Sequence, residues 1–232
     1  MTHLPLYLTT DHACSYLPER QARNLVAEPR QVNQTHYQSL LLQGFRRSGE
    51  HVYRPYCQAC KACQSLRVSS RNFRPSRSQR RSWKNNRDLR LQLRPMSHDG
   101  EHYQLFQRYA HHRHRDGGMD LISADDFFGF TASSWCSNAL WELRDSENRL
   151  LCGAVVDHLA DGFSAVYSYF EPSAAQRTLG TLIILHQIEY ARRMGLPWVY
   201  LGYYIKNCQK MSYKARFQPH QRFTAGRWQW QD

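Results

Sequence analysis

Cys57, Cys60 and Cys63 recur at every third residue, a spacing that lets thiolates converge on one metal ion or cluster. With Cys14 supplied from an earlier segment, the set reaches the four donors that zinc or an iron–sulfur cluster takes. The alternative is that these thiols are small buried groups packing a tight turn, as free cysteines often do. Shortly after the last of them comes the arginine-rich run from Arg74 to Arg81. There Ser76 is a good helix N-cap, Gln79 stands where it closes a capping box, and Pro75 stops any earlier helix from running through. A helix beginning at Arg77 carries Arg77, Arg80, Arg81, Lys84 and Arg87 on one face at three- and four-residue intervals. Such a face, with free N–H groups at the helix start, suits phosphate or carboxylate. Its bland counterpart is a solvated charged surface.

Composition strengthens the first of those readings. The 232 residues hold 31 Lys and Arg against 19 Asp and Glu, a formal charge of +12, so a polyanionic partner is expected. The charge is clustered, because the stretch from Arg71 to Arg94 contains nine basic residues and one acid, Asp88. A hydrophobic content of 41% is ample for a packed core. The N-terminal residues lack the basic-then-apolar pattern of a signal peptide, and no apolar run approaches a bilayer span. Seven cysteines, an odd number, suit a reducing compartment where thiols stay free or bind metal. A cytoplasmic protein without membrane contact is therefore expected.

The elements that must position these groups divide near residue 95. Residues 1–95 read as a small, basic, cysteine-containing region with short strands at Val52 to Arg54 and Ser65 to Val68. A linker at Ser97 to Gly100 leads into residues 96–232. That second region opens with a helix from His102 to Arg115, stopped by Gly117 and Gly118. Apolar or alternating stretches at Leu140 to Arg144, Leu151 to Leu159 and Phe163 to Phe170 predict three strands separated by turns. Leu179 to Met194 is a strong helix with Gly195 and Pro197 as its stop, and Trp198 to Tyr203 is a further strand. Three strands, a helix and a strand is the order of an acetyltransferase-like (GNAT) core within an α+β or α/β protein, although many domains share it.

Five ordered blocks carry a resemblance. They are Asp11 to Arg23, Gly44 to Cys63, Phe73 to Arg81, Arg113 to Asp120 and the segment Leu201 to Pro219. Together they resemble the bacterial aspartate/glutamate leucyltransferases, aminoacyl-tRNA protein transferases related to the arginyltransferases. The resemblance covers nearly the whole chain and implies the same GNAT-like fold. It also implies that leucine passes from Leu-tRNA to proteins or peptides beginning with Asp or Glu, tagging them for degradation. The ester is already activated, so the chemistry requires no cofactor. Eukaryotic arginyltransferases carry cysteines in equivalent blocks that are associated with an iron–sulfur cluster. Here Cys14 is followed by Ser15, Tyr16 and Leu17, where those relatives have two cysteines.

Under that reading the enzyme holds amine and ester together, takes a proton and stabilises an oxyanion. Tyr203, Tyr204 and Lys214 are the expected catalytic groups, and Arg77, Lys210 and Arg216 the expected receptors of the acceptor carboxylate. Arg54, Arg80, Arg81, Lys84 and Arg87 are expected to track the tRNA backbone. The segment Met211 to Phe217 equally reads as a turn packing Tyr213 and Phe217 into the core. His111, His112 and His114 sit beside Arg113 and Arg115, whose charge opposes a metal there. Cys136, Cys152 and Cys208 are isolated, and Cys152 reads as core. Gln176 to Thr181 partly echoes the pyrophosphate-gripping loop of acetyltransferases but lacks its second glycine. The rival functions are a metal-stapled RNA-binding protein without catalysis and an acetyl-CoA-dependent N-acetyltransferase.

Overall fold

The computed structural model describes residues 4–113 and 121–231. His114, Arg115 and most of the expected block from Arg113 to Asp120 lie outside them. The chain begins with β1 (Leu6–Leu8), β2 (His12–Ala13), β3 (Gln21–Ala22) and β4 (Asn24–Ala27), followed by α1 (Gln34–Leu42), β5 (Arg46–Ser48) and β6 (His51–Pro55). β1, β4, β6 and β5 form one antiparallel sheet in that order, and β2 and β3 form a separate hairpin. Next come β7 (Gln64–Ser69), α2 (Arg77–Lys84), β8 (Arg90–Pro95), α3 (Gly100–Arg113), α4 (Ala124–Thr131), β9 (Asn138–Arg144), β10 (Leu150–Leu159) and β11 (Gly162–Phe170). The chain finishes through α5 (Leu179–Arg193), β12 (Trp198–Tyr204), α6 (Gln209–Ser212), β13 (His220–Thr224) and β14 (Arg227–Gln231).

Eight strands build the main sheet in the order β14, β13, β7, β12, β11, β10, β9, β8. The expected succession of three strands, helix and strand is present as β9, β10, β11, α5 and β12. It is the acetyltransferase-like arrangement, because α5 returns the chain so that β12 runs parallel to β11 while the other pairs in the sheet are antiparallel. Strands from both sides of residue 95 enter the sheet. β7 is inserted between β12 and β13, and β8 closes the edge beside β9.

Local sequence signals account for the helices. In α2 the Ser76 hydroxyl accepts from the Gln79 N–H and the Gln79 side chain accepts from the Ser76 N–H, the reciprocal capping box. α2 ends at Lys84, so Arg87 lies beyond it, in the turn before β8. α3 buries His102, Leu105, Phe106, Tyr109 and Ala110, one stripe at helical spacing. α5 buries Leu182, Leu185 and Ile188 on the largest core cluster, which also contains Trp141, Val156 and Val199. On the opposite side, Tyr37, Leu40 and Leu41 of α1 pack with Phe45, Leu159 and Tyr200 and join the N-terminal region to the sheet.

A polar clamp reinforces that junction. Arg47 of β5 donates from Nε to both oxygens of Asp157 on β10, at 3.0 Å each, and from Nη2 to Oδ1. Its Nη1 donates to the Thr131 carbonyl at 2.9 Å. Tyr37 donates its hydroxyl proton to Asp157 Oδ2 at 2.7 Å and lies 3.1 Å from Ser164 Oγ. Both ions are fully buried, so removing one partner strands an uncompensated charge. Asp157→Ala is expected to lower the unfolding free energy by about 3–5 kcal/mol, measured by urea denaturation. A change below about 1 kcal/mol would mean the clamp is not what joins the two parts.

Candidate active site at the fork between two parallel strands

β11 and β12 pair only at Gly162 with Trp198, Phe163 with Val199 and Ser164 with Tyr200. Beyond that point the parallel register ends and the two strands form a fork. Arg46 of β5 fills it, donating from Nη1 to Ser164 Oγ at 3.0 Å and from Nη2 to the Ala165 carbonyl at 2.6 Å. The guanidinium thus satisfies backbone that would otherwise lack a ladder partner. On β12 the register with β7 shifts between Tyr200 and Gly202. Gly202 sits there at a φ of 80°, a left-handed conformation that a side chain resists. A Cβ at Gly202 would lie 3.4 Å from Arg46 Nε and 3.6 Å from Lys214 Nζ.

Lys214 approaches from the turn after α6. It is buried, and its Nζ donates to the Tyr203 carbonyl at 2.8 Å and lies 3.2 Å from Met211 Sδ. Burial, and then the Arg46 charge, push its pKa down to about 7. The amine is therefore poised between its two protonation states at neutral pH, as a general base must be. Arg46 carried no recognisable signal in the sequence. It stands in a basic pair with Arg47, and only the fold distinguishes a buried guanidinium from a solvated one.

The expected tyrosines diverge, because successive strand residues face opposite ways. Tyr203 is buried against Tyr53, with ring centroids 6.1 Å apart, and its hydroxyl reaches the carbonyls of Tyr53 and Gly44 at 3.1 and 3.3 Å. Burial holds its phenol well above the ordinary range, so it keeps its proton. Tyr204 turns into the core beneath α5, with the Arg222 guanidinium 3.8 Å from its ring centre.

A cavity of about 1360 Å³ opens beside the fork, between the β2–β3 hairpin and the small sheet. Tyr16, Tyr53, Arg54, Cys63, Gln64 and Tyr203 are among its walls. Arg54 is held there by the Gln43 carbonyl at 2.8 Å and by the Phe45 ring. Cys14, Cys57 and Cys60 also line it, and all seven cysteines are free thiols. Burial, with Cys14, Cys57, Cys60 and Cys208 nearby, pushes the Cys63 thiol up to about 12. Among the described residues, no three cysteine, histidine or carboxylate groups are arranged to hold a metal ion.

The basic groups separate into two kinds. Arg77, Arg80, Arg81, Lys84, Arg87, Lys210 and Arg216 are exposed. The start of α2 does meet the C-terminal segment, through Gln79 Nε2 donating to the Arg216 carbonyl at 3.2 Å and Phe73 stacking on buried Phe217. Arg77, Lys210 and Arg216 themselves remain in solvent, where water screens their charge. His111 and His112 lie exposed at the end of α3, and Cys136 and Cys152 are buried.

A family model described as the N terminus of arginine-tRNA-protein transferase matches residues 12–81, and its C-terminal counterpart matches residues 101–224. The chain is 49% identical over 223 residues to the aspartate/glutamate leucyltransferase of Nitrosococcus oceani, covering 96% of this chain and 94% of that relative. The chain belongs to the aspartate/glutamate leucyltransferase family. Relatives of the same description from Alkalilimnicola ehrlichii and Saccharophagus degradans are 44% and 42% identical, covering 97% and 98% of this chain and 95% and 97% of theirs. Among solved structures, that of L-PGS from Bacillus licheniformis aligns with a TM-score of 0.48 at 13% identity, over 63% of this chain and 48% of that one.

As a leucyltransferase family member, the protein is a transferase. Its pyrophosphate-like loop is tied down rather than open. Thr178 donates to Ser82 Oγ at 2.7 Å, the Arg177 carbonyl accepts from Asn86 at 2.9 Å, and the Arg177 guanidinium grips Asp88. These bonds join α2 and the turn after it to the start of α5, which disfavours the coenzyme A reading. Lys214→Met is expected to lower kcat/KM for aminoacyl transfer by about 10²-fold or more while leaving thermal stability equal or higher. The loss of activity is expected if the amine takes the proton, and the gain in stability because burying it in charged form opposes folding. The sign follows from linkage: a lysine depressed to about 7 when folded costs stability as pH falls through the interval below its unfolded value. Retained activity with a lower melting temperature would make Lys214 a structural residue.

Proposed function

We propose that the protein transfers leucine from Leu-tRNA to the α-amine of proteins beginning with Asp or Glu. What supports the substrate pair is the shared description of relatives that align over nearly the whole chain. What supports the chemistry is a buried lysine with a near-neutral pKa at the strand fork. The neutral acceptor amine attacks the ester carbonyl carbon and forms the C–N bond, losing one proton to the Lys214 amine. The C–O bond to the tRNA ribose then breaks, and the leaving oxygen takes up one proton. Lys214 can donate its hydrogen bond to the Tyr203 carbonyl and still offer a lone pair, so it serves as base without losing its anchor. The ester carries its own activation, so no resident cofactor or covalent enzyme intermediate is needed. The protein would act in the cytoplasm, where tRNA is charged, and among the described residues no helix is long and apolar enough to cross a membrane.

The donor tRNA would lie along α2. Arg77, Arg80, Arg81 and Lys84 project from it with no carboxylate partner among the described ion pairs, and Arg87 follows in the next turn. Arg54, on the cavity wall, is suited to the acceptor end of the tRNA, and exposed Lys210 and Arg216 extend the charged surface. Leucine installed on an acidic N-terminus changes the residue by which the protein would be selected for degradation.

Radiolabelled aminoacyl-tRNAs incubated with peptides beginning with Asp, Glu or Ala test the assignment. Label is expected to pass from Leu-tRNA to the Asp and Glu peptides, with little passing to the Ala peptide or from Arg-tRNA. Equal rates with Ala-start and Glu-start peptides would overturn it. Arg80→Ala and Arg81→Ala are each expected to weaken tRNA binding and reduce the log–log salt slope by about 0.7–0.9 per lost phosphate contact. Unchanged slopes in both would move the tRNA to another face.

A further inference from the structure

The acidic side chain of the acceptor needs a receptor, and the two adjacent arginines of β5 suggest where it is. Both are buried. Arg47 is neutralised by the two oxygens of Asp157. Arg46 has no such partner: its guanidinium donates only to the neutral Ser164 hydroxyl and Ala165 carbonyl. No ion pair among the described residues includes Arg46 or Lys214. A guanidinium keeps its charge in any protein environment, and a buried charge is ordinarily paired or bound to a ligand. The fork therefore presents a fixed cation that lacks its anion.

Three further observations define that anion. Arg46 Nε and Lys214 Nζ both lie within 3.6 Å of the point that a Gly202 Cβ would occupy. The guanidinium and the proton-accepting amine thus serve one small volume, kept free of a side chain by the glycine. An N-terminal Asp or Glu carries its α-amine and its carboxylate only a few bonds apart, so one residue can address both groups. The cavity borders this place at Tyr203, whose carbonyl accepts from Lys214, and at Tyr53, which pairs with Arg46 across β5 and β6. A phosphate has a more accessible partner in the exposed face of α2, whereas a single buried guanidinium matches a monoanion.

We infer that Arg46 receives the side-chain carboxylate of the acceptor's first residue, oriented by Ser164 and the Ala165 carbonyl, with the acceptor's α-amine beside Lys214. The inference rests on the leucyl-transfer reading above and adds the residue that selects the acceptor. It places selection in the low-dielectric interior, where an unpaired cation penalises a neutral substrate. Exposed Arg77, Lys210 and Arg216 have no comparable means of discrimination.

The test is a comparison of two peptides of equal shape, one beginning with Glu and one with Gln, using Leu-tRNA and the full-length protein. Wild-type protein is expected to favour Glu strongly in kcat/KM. Arg46→Gln should reduce that preference by about 10-fold or more, chiefly through KM for the Glu peptide, with tRNA affinity within about twofold of wild type. Ser164→Ala, which removes only one anchor of the guanidinium, should reduce the preference by a smaller factor, and this variant decides the matter if Arg46→Gln does not fold. An unchanged Glu-to-Gln ratio in the folded variants, or a loss confined to tRNA binding, would overturn the role of Arg46 and leave leucyl transfer standing. Failure of the wild-type protein to modify either an Asp-start or a Glu-start peptide would overturn both.

Discussion

The buried ion pair between Arg47 and Asp157 is the interaction on which the geometry of the fork rests. It fixes β5 across β10, with Tyr37 of α1 and the Thr131 carbonyl completing the clamp. Because Arg46 is the preceding residue on the same three-residue strand, anchoring one guanidinium delivers the other to the fork. Ser164 joins the two halves of this arrangement, meeting Arg46 on one side and Tyr37 on the other. Two adjacent residues of the same type thus have opposite fates: one is fully paired and structural, the other charged and unfulfilled. Buried charge without an internal partner is costly, and such local destabilisation persists where binding compensates for it.

The acetyltransferase-like frame explains why a side chain from another sheet can enter here. In a parallel pair that separates after three residues, carbonyl groups lose their natural partners and create a polar notch in the centre of a sheet. The loop preceding α5 is occupied by contacts from Ser82, Asn86 and Asp88. The notch is occupied by Arg46. The N-terminal region thus alters both places that an acetyltransferase-like core offers a ligand, one by covering it and the other by charging it.

Much of this was legible in the amino-acid order wherever the determinants are local. β9 to β11 and α5 followed from hydrophobic periodicity, and the capping box from Ser76 and Gln79 set the start of α2 where expected. The non-local features were not legible. Nothing in the residues of β7 indicates that they will separate β12 from β13, because that position depends on register with strands more than a hundred residues away. The site divided in the same way. Lys214 could be singled out from its type and block, but its burial and its lowered pKa come only from the fold. Arg46 could not, since a basic pair after a glycine reads as solvated surface until the fold encloses it. Tyr203 and Tyr204, neighbours in sequence, face opposite sides of one strand, and the phenol nearer the cavity serves backbone carbonyls.

The insertion of β7 also governs when the molecule can become competent during its own synthesis. Arg67 of β7 bonds to Gln221 of β13, 154 residues later, and Lys214 joins the fork only a few residues before that strand. A growing chain, made at about 5–20 residues per second, therefore presents the cysteine-rich region and the basic helix long before the neighbours of β7 exist. Until β12 and β13 emerge, β7 has unpaired edges on both sides. A chain made only as far as α2 has the charged helix but not yet Lys214. Completion of the sheet therefore waits for β12 and β13, the two strands that flank β7.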